Sequence, residues 1–216
     1  MEIQLIKQRR ASSRWVAAGA AAILFASGCN RMGDTTENFT SAIDKYYNTH
    51  PSCLFTEPMN FPLQADDSNS KQASGFDALV HQALLARGSA EARVMVAAGQ
   101  QENTYNLTAK GHAAWTADAQ QAGFGNFCYG HRTVTAIDSS TPTTSRNGAT
   151  TDVVYRYVIN GAPQWAQAAE VQTDFPNLQG DLAGTQVGRA TLTNTRKGWQ
   201  VSSAPWAHIS DSDIYK

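Results

Sequence analysis

The chain has 216 residues, of which 42% are hydrophobic and 16% are charged, and its formal net charge is −1. This length allows one or two domains with real cores, and the composition excludes a disordered chain, a coiled coil and a protein with several membrane spans. Because there is no excess of cations, we expect no nucleic-acid partner.

The first 28 residues predict a signal peptide. Basic residues open the segment, an apolar run follows from Trp15 to Phe25, and small residues precede Cys29. The apolar run is shorter than the ~20 residues that span a bilayer, and this order is typical of a secretory leader. Because Cys29 follows Ala26-Ser27-Gly28, the segment also resembles the lipobox of bacterial lipoproteins, with Ala26 where that family usually has Leu.

The lipobox resemblance implies a lipid anchor. In that family the cysteine carries a diacylglycerol and an acylated amino terminus, which together are enough for stable membrane attachment. Residues 29–34 would then be a tether, and in a cell with two membranes Asn30 after the cysteine implies sorting to the outer membrane, facing the periplasm. The alternative is a plain secretory signal with an incidental cysteine.

The number of cysteines is also consistent with export. With Cys29 lipidated, Cys53 and Cys128 remain, and an even pair in an oxidising compartment predicts a disulfide. The bond would close a loop of about 75 residues and stabilise the fold by ~4 kcal/mol. The alternatives are a buried pair of free thiols or a redox pair. The five histidines lack metal-ligand spacing, so we expect neither a metal site nor a cofactor.

Residues 35–122 are expected to form a first, helical domain. The capping box Asp34-Thr35-Thr36-Glu37 predicts a helix over 35–48, which His50-Pro51 ends. The further predicted elements are a loop over 53–70, a helix from Lys71 to Gly88, strands at Arg93–Ala97 and Thr104–Thr108, and a helix from Thr108 to Gln121.

This order and the residues Tyr105, Leu107, Thr108 and Gly111 resemble the wing end of a winged-helix domain. The resemblance implies a helical module with a two-stranded wing. Winged helices usually bind DNA, but the leader and a net charge of −4 after residue 28 favour a protein-interaction role here.

Residues 123–216 are expected to form a second domain after a glycine-rich joint at Gly123–Gly130. The pattern predicts a β-β-α-β-β antiparallel sheet with a covering helix, so the fold class of the whole chain is α+β. The predicted elements are strands Arg132–Asp138 and Asp152–Ile159, a helix from Pro163 that breaks at Pro176 and turns Trp165, Ala168, Ala169 and Val171 inward, and a hairpin of Gly188–Asn194 with Gly198–Ser203.

Candidate binding residues cluster at the start of the second domain. They are Phe124, Phe127, Tyr129, His131 and Arg132. Aromatic and arginine side chains dominate binding sites, so these residues could line a ligand groove. The alternative is that the aromatic ones belong to the core.

Two function classes follow. The first is a lipid-anchored, non-catalytic binding or accessory module for a periplasmic protein or an envelope polymer. The second is an envelope enzyme with unassigned catalytic residues in the region of Glu57, His112, His131 and Asp138. An enzyme should show a cavity where polar groups with shifted pKa values meet, whereas an accessory protein should show an apolar patch. A DNA-binding regulator would require the leader to stay in the cytoplasm.

Overall fold

A computed structural model describes residues 31–66, 70–89 and 102–207. Its α-helices are α1 Thr36–Thr49, α2 Ser70–His81, α3 Ala109–Ala114, α4 Ala169–Asp174 and α5 Pro176–Leu182. Its strands are β1 Ser52–Cys53, β2 Met59–Asn60, β3 Leu63–Asp66, β4 Leu85–Ser89, β5 Glu102–Leu107, β6 Trp115–Ala117, β7 Phe124–Ser140, β8 Thr150–Asn160, β9 Gln186–Thr195, β10 Gly198–Val201 and β11 Trp206–Ala207. Mixed helices and antiparallel strands confirm the α+β class. Among the helices described, none has the length and apolar character needed to cross a membrane.

The larger sheet is built around β7. Its strand order is β1-β7-β8-β9-β10, with β2 and β6 also paired to β7 and β11 paired to β9. The long strands β7 and β8 form an antiparallel hairpin, and so do β9 and β10. A smaller antiparallel sheet has the order β3-β5-β4.

Two clusters of buried side chains form the core. In one, α1 lies on the larger sheet and buries Phe39, Ile43 and Tyr47, which are spaced by one helical turn each. Phe39 packs edge-on against Trp199 of β10 with ring centroids 5.1 Å apart. The other cluster joins α2, β5, the first residues of β7 and the helices α4 and α5. Each buried aromatic or aliphatic side chain stabilises the fold by roughly 1.5–3 kcal/mol.

Helix α1 follows the prediction closely, with one correction at its start. The sequence predicts a capping box from Asp34 to Glu37, but the N-cap is Thr35, whose side chain accepts a hydrogen bond from the backbone N–H of Asn38 at 3.3 Å. The helix ends at the C-cap His50, directly before Pro51, as predicted. The capping register is therefore wrong by one residue, while the helix itself is confirmed.

Helix α2 ends earlier than predicted. The predicted stop at Gly88 is wrong, because the helix ends at His81 and Gly88 lies inside β4. Ala83 takes a φ of +55°, and the N–H groups of Ala83 and Leu84 donate to the carbonyls of Val80 and Leu79. These two bonds are those of a Schellman motif, which usually has glycine at the left-handed position. Because this position holds alanine and not glycine, the sequence does not indicate that the helix ends here.

The region after α2 agrees only in part with the predicted wing. The returning strand Thr104–Thr108 is confirmed as β5, whereas its predicted partner Arg93–Ala97 lies outside the described residues. The predicted helix from Thr108 to Gln121 starts correctly, since the Thr108 hydroxyl accepts from the backbone N–H of Gly111. It ends at Ala114 because the chain then pairs with β7 as β6, where Trp115 lies opposite Phe127.

In the second half of the chain, the structure differs most from the prediction at the helical segment after Pro163. The helix predicted from Pro163 consists of a 3-10 turn at Gln164–Gln167 followed by α4, which ends at Asp174 just before the predicted break at Pro176. Trp165 and Val171 are buried as predicted, but Ala169 is exposed. Pro176 begins α5, since proline fits the first turn of a helix.

The region suggested as a joint, Gly123–Gly130, consists of a turn residue and the first seven residues of β7. The expected boundary at residue 122 falls between β6 and β7, which pair with each other. The spatial contacts between Cα atoms group the described residues from Arg31 onward into one compact unit.

Candidate functional site

A buried ion pair lies where the two core clusters meet. Asp181 on α5 is 2% exposed, and its carboxylate oxygens lie 3.2 and 3.3 Å from Nη2 of Arg132 on β7. The Tyr129 and Tyr157 hydroxyls donate to the two oxygens of the same carboxylate at 2.7 and 3.1 Å. We call Tyr129, Arg132, Tyr157 and Asp181 the polar centre. It supplies Asp181 with the partners that a buried charge requires.

Aromatic rings surround the guanidinium of Arg132. Its central carbon lies 4.9 Å from the ring centroid of Tyr157 and 5.3 Å from that of Tyr47, distances at which cation–π attraction is effective. The Tyr47 hydroxyl in turn forms a 2.5 Å hydrogen bond with the hydroxyl of Tyr155. Helix α1 and the strands β7 and β8 are thus tied together by polar groups inside the core.

Gly130 explains how Tyr129 and Arg132 reach the same carboxylate. In a regular strand, side chains three residues apart point to opposite faces. Gly130 has a φ of +152°, a conformation that L side chains rarely adopt, and it interrupts this alternation. A Cβ added at Gly130 would also lie 2.8 Å from the carbonyl oxygen of Asn160.

The pKa values of the arginine and the tyrosines at and beside the polar centre are all shifted upward. Burial, followed by the hydrogen bond to Asp181, raises the pKa of Tyr129, and burial raises the pKa of Tyr157 in the same way. Burial and the neighbouring Tyr47 raise the pKa of Tyr155. Burial alone would lower the pKa of Arg132, but Asp181 together with the Tyr157 and Tyr47 hydroxyls more than offsets burial, and the net shift is upward. These tyrosines therefore stay protonated, which suits them as donors and not as bases.

A cavity of about 430 Å³ opens beside the polar centre. It is lined by Tyr46, Tyr47, His50, Pro51, Ser52, Cys53, Tyr129, Arg132, Asn177, Asp181 and Pro205. The carboxylate at its base already accepts from Tyr129, Tyr157 and Arg132, so its hydrogen-bonding capacity is used within the protein.

The five candidate binding residues have different surroundings. Phe127 is fully buried in a core cluster, and Phe124 is half-buried at the start of β7. Tyr129 and Arg132 meet at Asp181, whereas the exposed His131 places Nδ1 2.9 Å from the carbonyl oxygen of Tyr47. Only Tyr129 and Arg132 of the five line the cavity beside the polar centre. His131 and Tyr129 also line a neighbouring cavity of about 530 Å³.

The residues of the enzyme hypothesis have separate bonding partners. Glu57 lies in the loop between β1 and β2, His112 is exposed on α3, and Asp138 forms a salt bridge with Arg156. No hydrogen bond or ion pair joins any two of Glu57, His112, His131 and Asp138. Within the described residues there is also no group of three or more acidic, histidine or cysteine side chains placed to hold a metal ion.

A third cavity, which we call the Phe55 cavity, has a more apolar wall. Its volume is about 510 Å³, and it is lined by Leu54, Phe55, Thr56, Glu57, Met59, Lys71, Gln72, Gly75, Phe76, Asp174 and Phe175. The ring of Phe55 lies edge-on to those of Phe76 and Phe175, with centroids 6.2 and 6.0 Å apart. Sequence reasoning missed it because Phe55 and Phe175 are far apart in the chain.

Cys53 and Cys128 lie directly opposite each other in β1 and β7. Their sulfurs are 2.05 Å apart, the distance of a disulfide bond, as the cysteine count predicts. Cys53 lines the cavity beside the polar centre, so the bond fixes one wall of that cavity.

No protein-family model, curated protein or solved structure matches the chain.

Proposed function

We propose that this protein is a lipid-anchored lipoprotein of the cell envelope whose folded domain is a non-catalytic binding or accessory module. Its anchor would be acyl chains on Cys29, and its partner a periplasmic protein or an envelope polymer. The observation that carries the binding role is the apolar, aromatic wall of the Phe55 cavity, because an accessible apolar surface is the feature expected of an accessory protein.

The polar centre supports a module without catalysis. Its carboxylate is buried and engaged by three donors, and the pKa shifts of its tyrosines are upward. A general base needs a free acceptor and a pKa near the working pH. The cavity beside the polar centre offers no free acceptor on Asp181, and burial moves the pKa values of Tyr129 and Tyr157 upward, away from the working pH.

The finer description of the fold also belongs to this proposal. It consists of a winged-helix-like module over residues 35–122 and a β-β-α-β-β domain after it. What supports the first part is α2 followed by the antiparallel strands β4 and β5, the order of a helix and a wing. An outer-membrane location facing the periplasm rests on Asn30 and the lipobox resemblance.

Intact mass of the membrane-extracted protein tests the anchor. We expect a mass that begins at an acylated Cys29 and rises by two hydrogens on reduction. A mass that begins at Met1 would contradict the proposal, and so would an unmodified Cys29.

An apolar fluorescent dye tests the binding surface. We expect the native protein to bind the dye and Met59→Lys to weaken binding roughly tenfold, because a charge replaces an apolar side chain at the cavity wall. Met59→Leu should retain binding. Ile137→Lys is the matched control, since Ile137 is a half-buried apolar residue on β7 outside this cavity. Equal loss in both lysine variants would show that the dye does not bind in the Phe55 cavity.

A further inference from the structure

The start of the described domain is pressed against the turn between β9 and β10. The indole N–H of Trp199 donates to the carbonyl oxygen of Gly33 at 2.9 Å, and the Asn194 side-chain amide donates to that of Met32 at 2.9 Å. A Cβ added at Gly198 would lie 2.9 Å from the carbonyl oxygen of Arg31. The point where the chain enters the domain is therefore fixed beside this turn.

The loop between β7 and β8 reaches the same end of the molecule. The backbone N–H of Gly148 donates to the carbonyl of Asn194 at 2.7 Å, and the N–H of Asn194 donates to the carbonyl of Ala149 at 2.8 Å. The Ser145 hydroxyl also lies 3.5 Å from a carboxylate oxygen of Asp34. Three segments, 31–37, 143–149 and 194–198, thus form one surface.

This surface is locally basic although the domain is acidic. It carries four exposed cations, Arg31, Arg146, Arg196 and Lys197, which we call the basic end. The acids of the same three segments are Asp34 and Glu37, whereas the whole chain from Cys29 has thirteen basic and seventeen acidic residues. The salt bridges among the described residues use Arg87, Arg132 and Arg156. The cations of the basic end remain available to an external anion.

We infer that the basic end is the membrane-facing surface of the domain and contacts anionic phospholipid headgroups. This inference rests on the proposed anchor, because Cys29 is two residues from Arg31 and an extended chain spans at most about 7 Å over that length. An acylated Cys29 would hold Arg31 within a Debye length of the headgroups, and the other three cations lie on the same surface. There each cation is attracted to an anionic surface. The contact would orient the domain, leaving the acyl chains to supply most of the attachment.

Trace acetylation of lysines on the full, membrane-processed protein tests this contact. The protein is reconstituted in vesicles of phosphatidylcholine alone or mixed with phosphatidylglycerol, and labelling of Lys197 is compared with that of Lys45 on α1 in the same sample. We expect the Lys197 to Lys45 ratio to fall about fivefold in the anionic vesicles at low salt, and to recover at high salt. An equal ratio in both kinds of vesicle would overturn the inference.

Single substitutions sharpen the test. Arg196→Gln should reduce the protection of Lys197, because it removes a neighbouring cation of the basic end. Lys110→Gln is the matched control, an exposed cation on α3 whose loss should leave the protection unchanged. Equal effects of the two variants would show that only net charge matters, and the oriented contact would be wrong.

Flotation separates this inference from the anchor on which it rests. Neutral headgroups do not attract cations, so flotation with phosphatidylcholine vesicles reports the acyl chains alone. Flotation with both kinds of vesicle and an unchanged labelling ratio would leave the anchor standing and remove the headgroup contact. If the protein floats only with the anionic vesicles and Lys197 is protected, the headgroup contact is supported and the lipid anchor is contradicted.

Discussion

Asp181 couples two parts of the fold through a single carboxylate. It lies on α5 and accepts hydrogen bonds from β7 and β8, so one buried charge fixes the position of a short helix against the larger sheet. Its cation Arg132 is itself only 16% exposed. A buried pair of this kind is weak evidence for net stability, but removing one partner leaves a charge without compensation.

We expect Asp181→Asn to lower the free energy of unfolding by about 3 kcal/mol, because Arg132 would lose its counter-charge in a largely buried position. Urea denaturation measures the change. Asp138→Asn is the control, since the Asp138–Arg156 pair is on the surface and should contribute less than about 1 kcal/mol. Equal losses in the two variants would contradict a special role for the buried pair.

Among the elements, α2 ends at a motif that its sequence does not indicate. Its Schellman motif places Ala83 in the left-handed region, which costs an L residue other than glycine roughly 1–2 kcal/mol. The hydrogen bonds of the motif and the burial of Leu84, which is 0% exposed, offset this cost. The end of α2 is therefore a point of stored backbone strain.

Ala83→Gly should stabilise the protein by about 1 kcal/mol, because glycine adopts this conformation without a Cβ penalty. The opposite change is expected for Ala73→Gly in the interior of α2, where glycine costs about 1 kcal/mol. Thermal and urea unfolding of both variants give the comparison. A loss of stability in Ala83→Gly would show that the strain at this residue is not significant.

At the level of the whole molecule, the disulfide connects the segment after α1 to the middle of the larger sheet. Cys53 and Cys128 are 75 residues apart, and the smaller sheet and α2 lie within the loop that they close. In the chain-entropy view, such a loop restricts the unfolded state by about 4 kcal/mol.

We expect reduction, or the double substitution Cys53→Ala and Cys128→Ala, to lower the free energy of unfolding by about 2–5 kcal/mol. Denaturation with and without reductant measures the loss. The double variant should not respond to reductant, which serves as the control. A native protein whose stability is unchanged by reductant would contradict a structural disulfide.

Local patterns and counting predicted α1, β5 and the cysteine pair, because each depends on neighbouring residues or on residue number. The sequence predicted only part of the polar centre. Tyr129 and Arg132 were among the candidates, but Asp181 was not, since its partners are 24, 49 and 52 residues away in sequence. One signal existed: Asp181 follows Leu178 at i+3 and precedes Leu182, so an acid interrupts an apolar helical stripe.

The same long-range limit explains the errors in the elements. Residues 115–117 join the larger sheet because Trp115 packs against Phe127, with ring centroids 4.9 Å apart, and no local pattern reports that partner. The Phe55 cavity likewise depends on a contact between the β1–β2 loop and the residue between α4 and α5.

The Cys53–Cys128 bond also makes residues 53–128 a closed covalent ring. A protease that cuts once anywhere between residues 54 and 127 opens the ring but does not divide the molecule, since the two pieces stay joined through sulfur. The portion bearing Cys29 would keep β7 to β11 attached after such a cut. Release of the domain from its amino-terminal segment by one cut therefore requires cleavage before Cys53, and a nicked molecule would separate on an electrophoresis gel only after reduction.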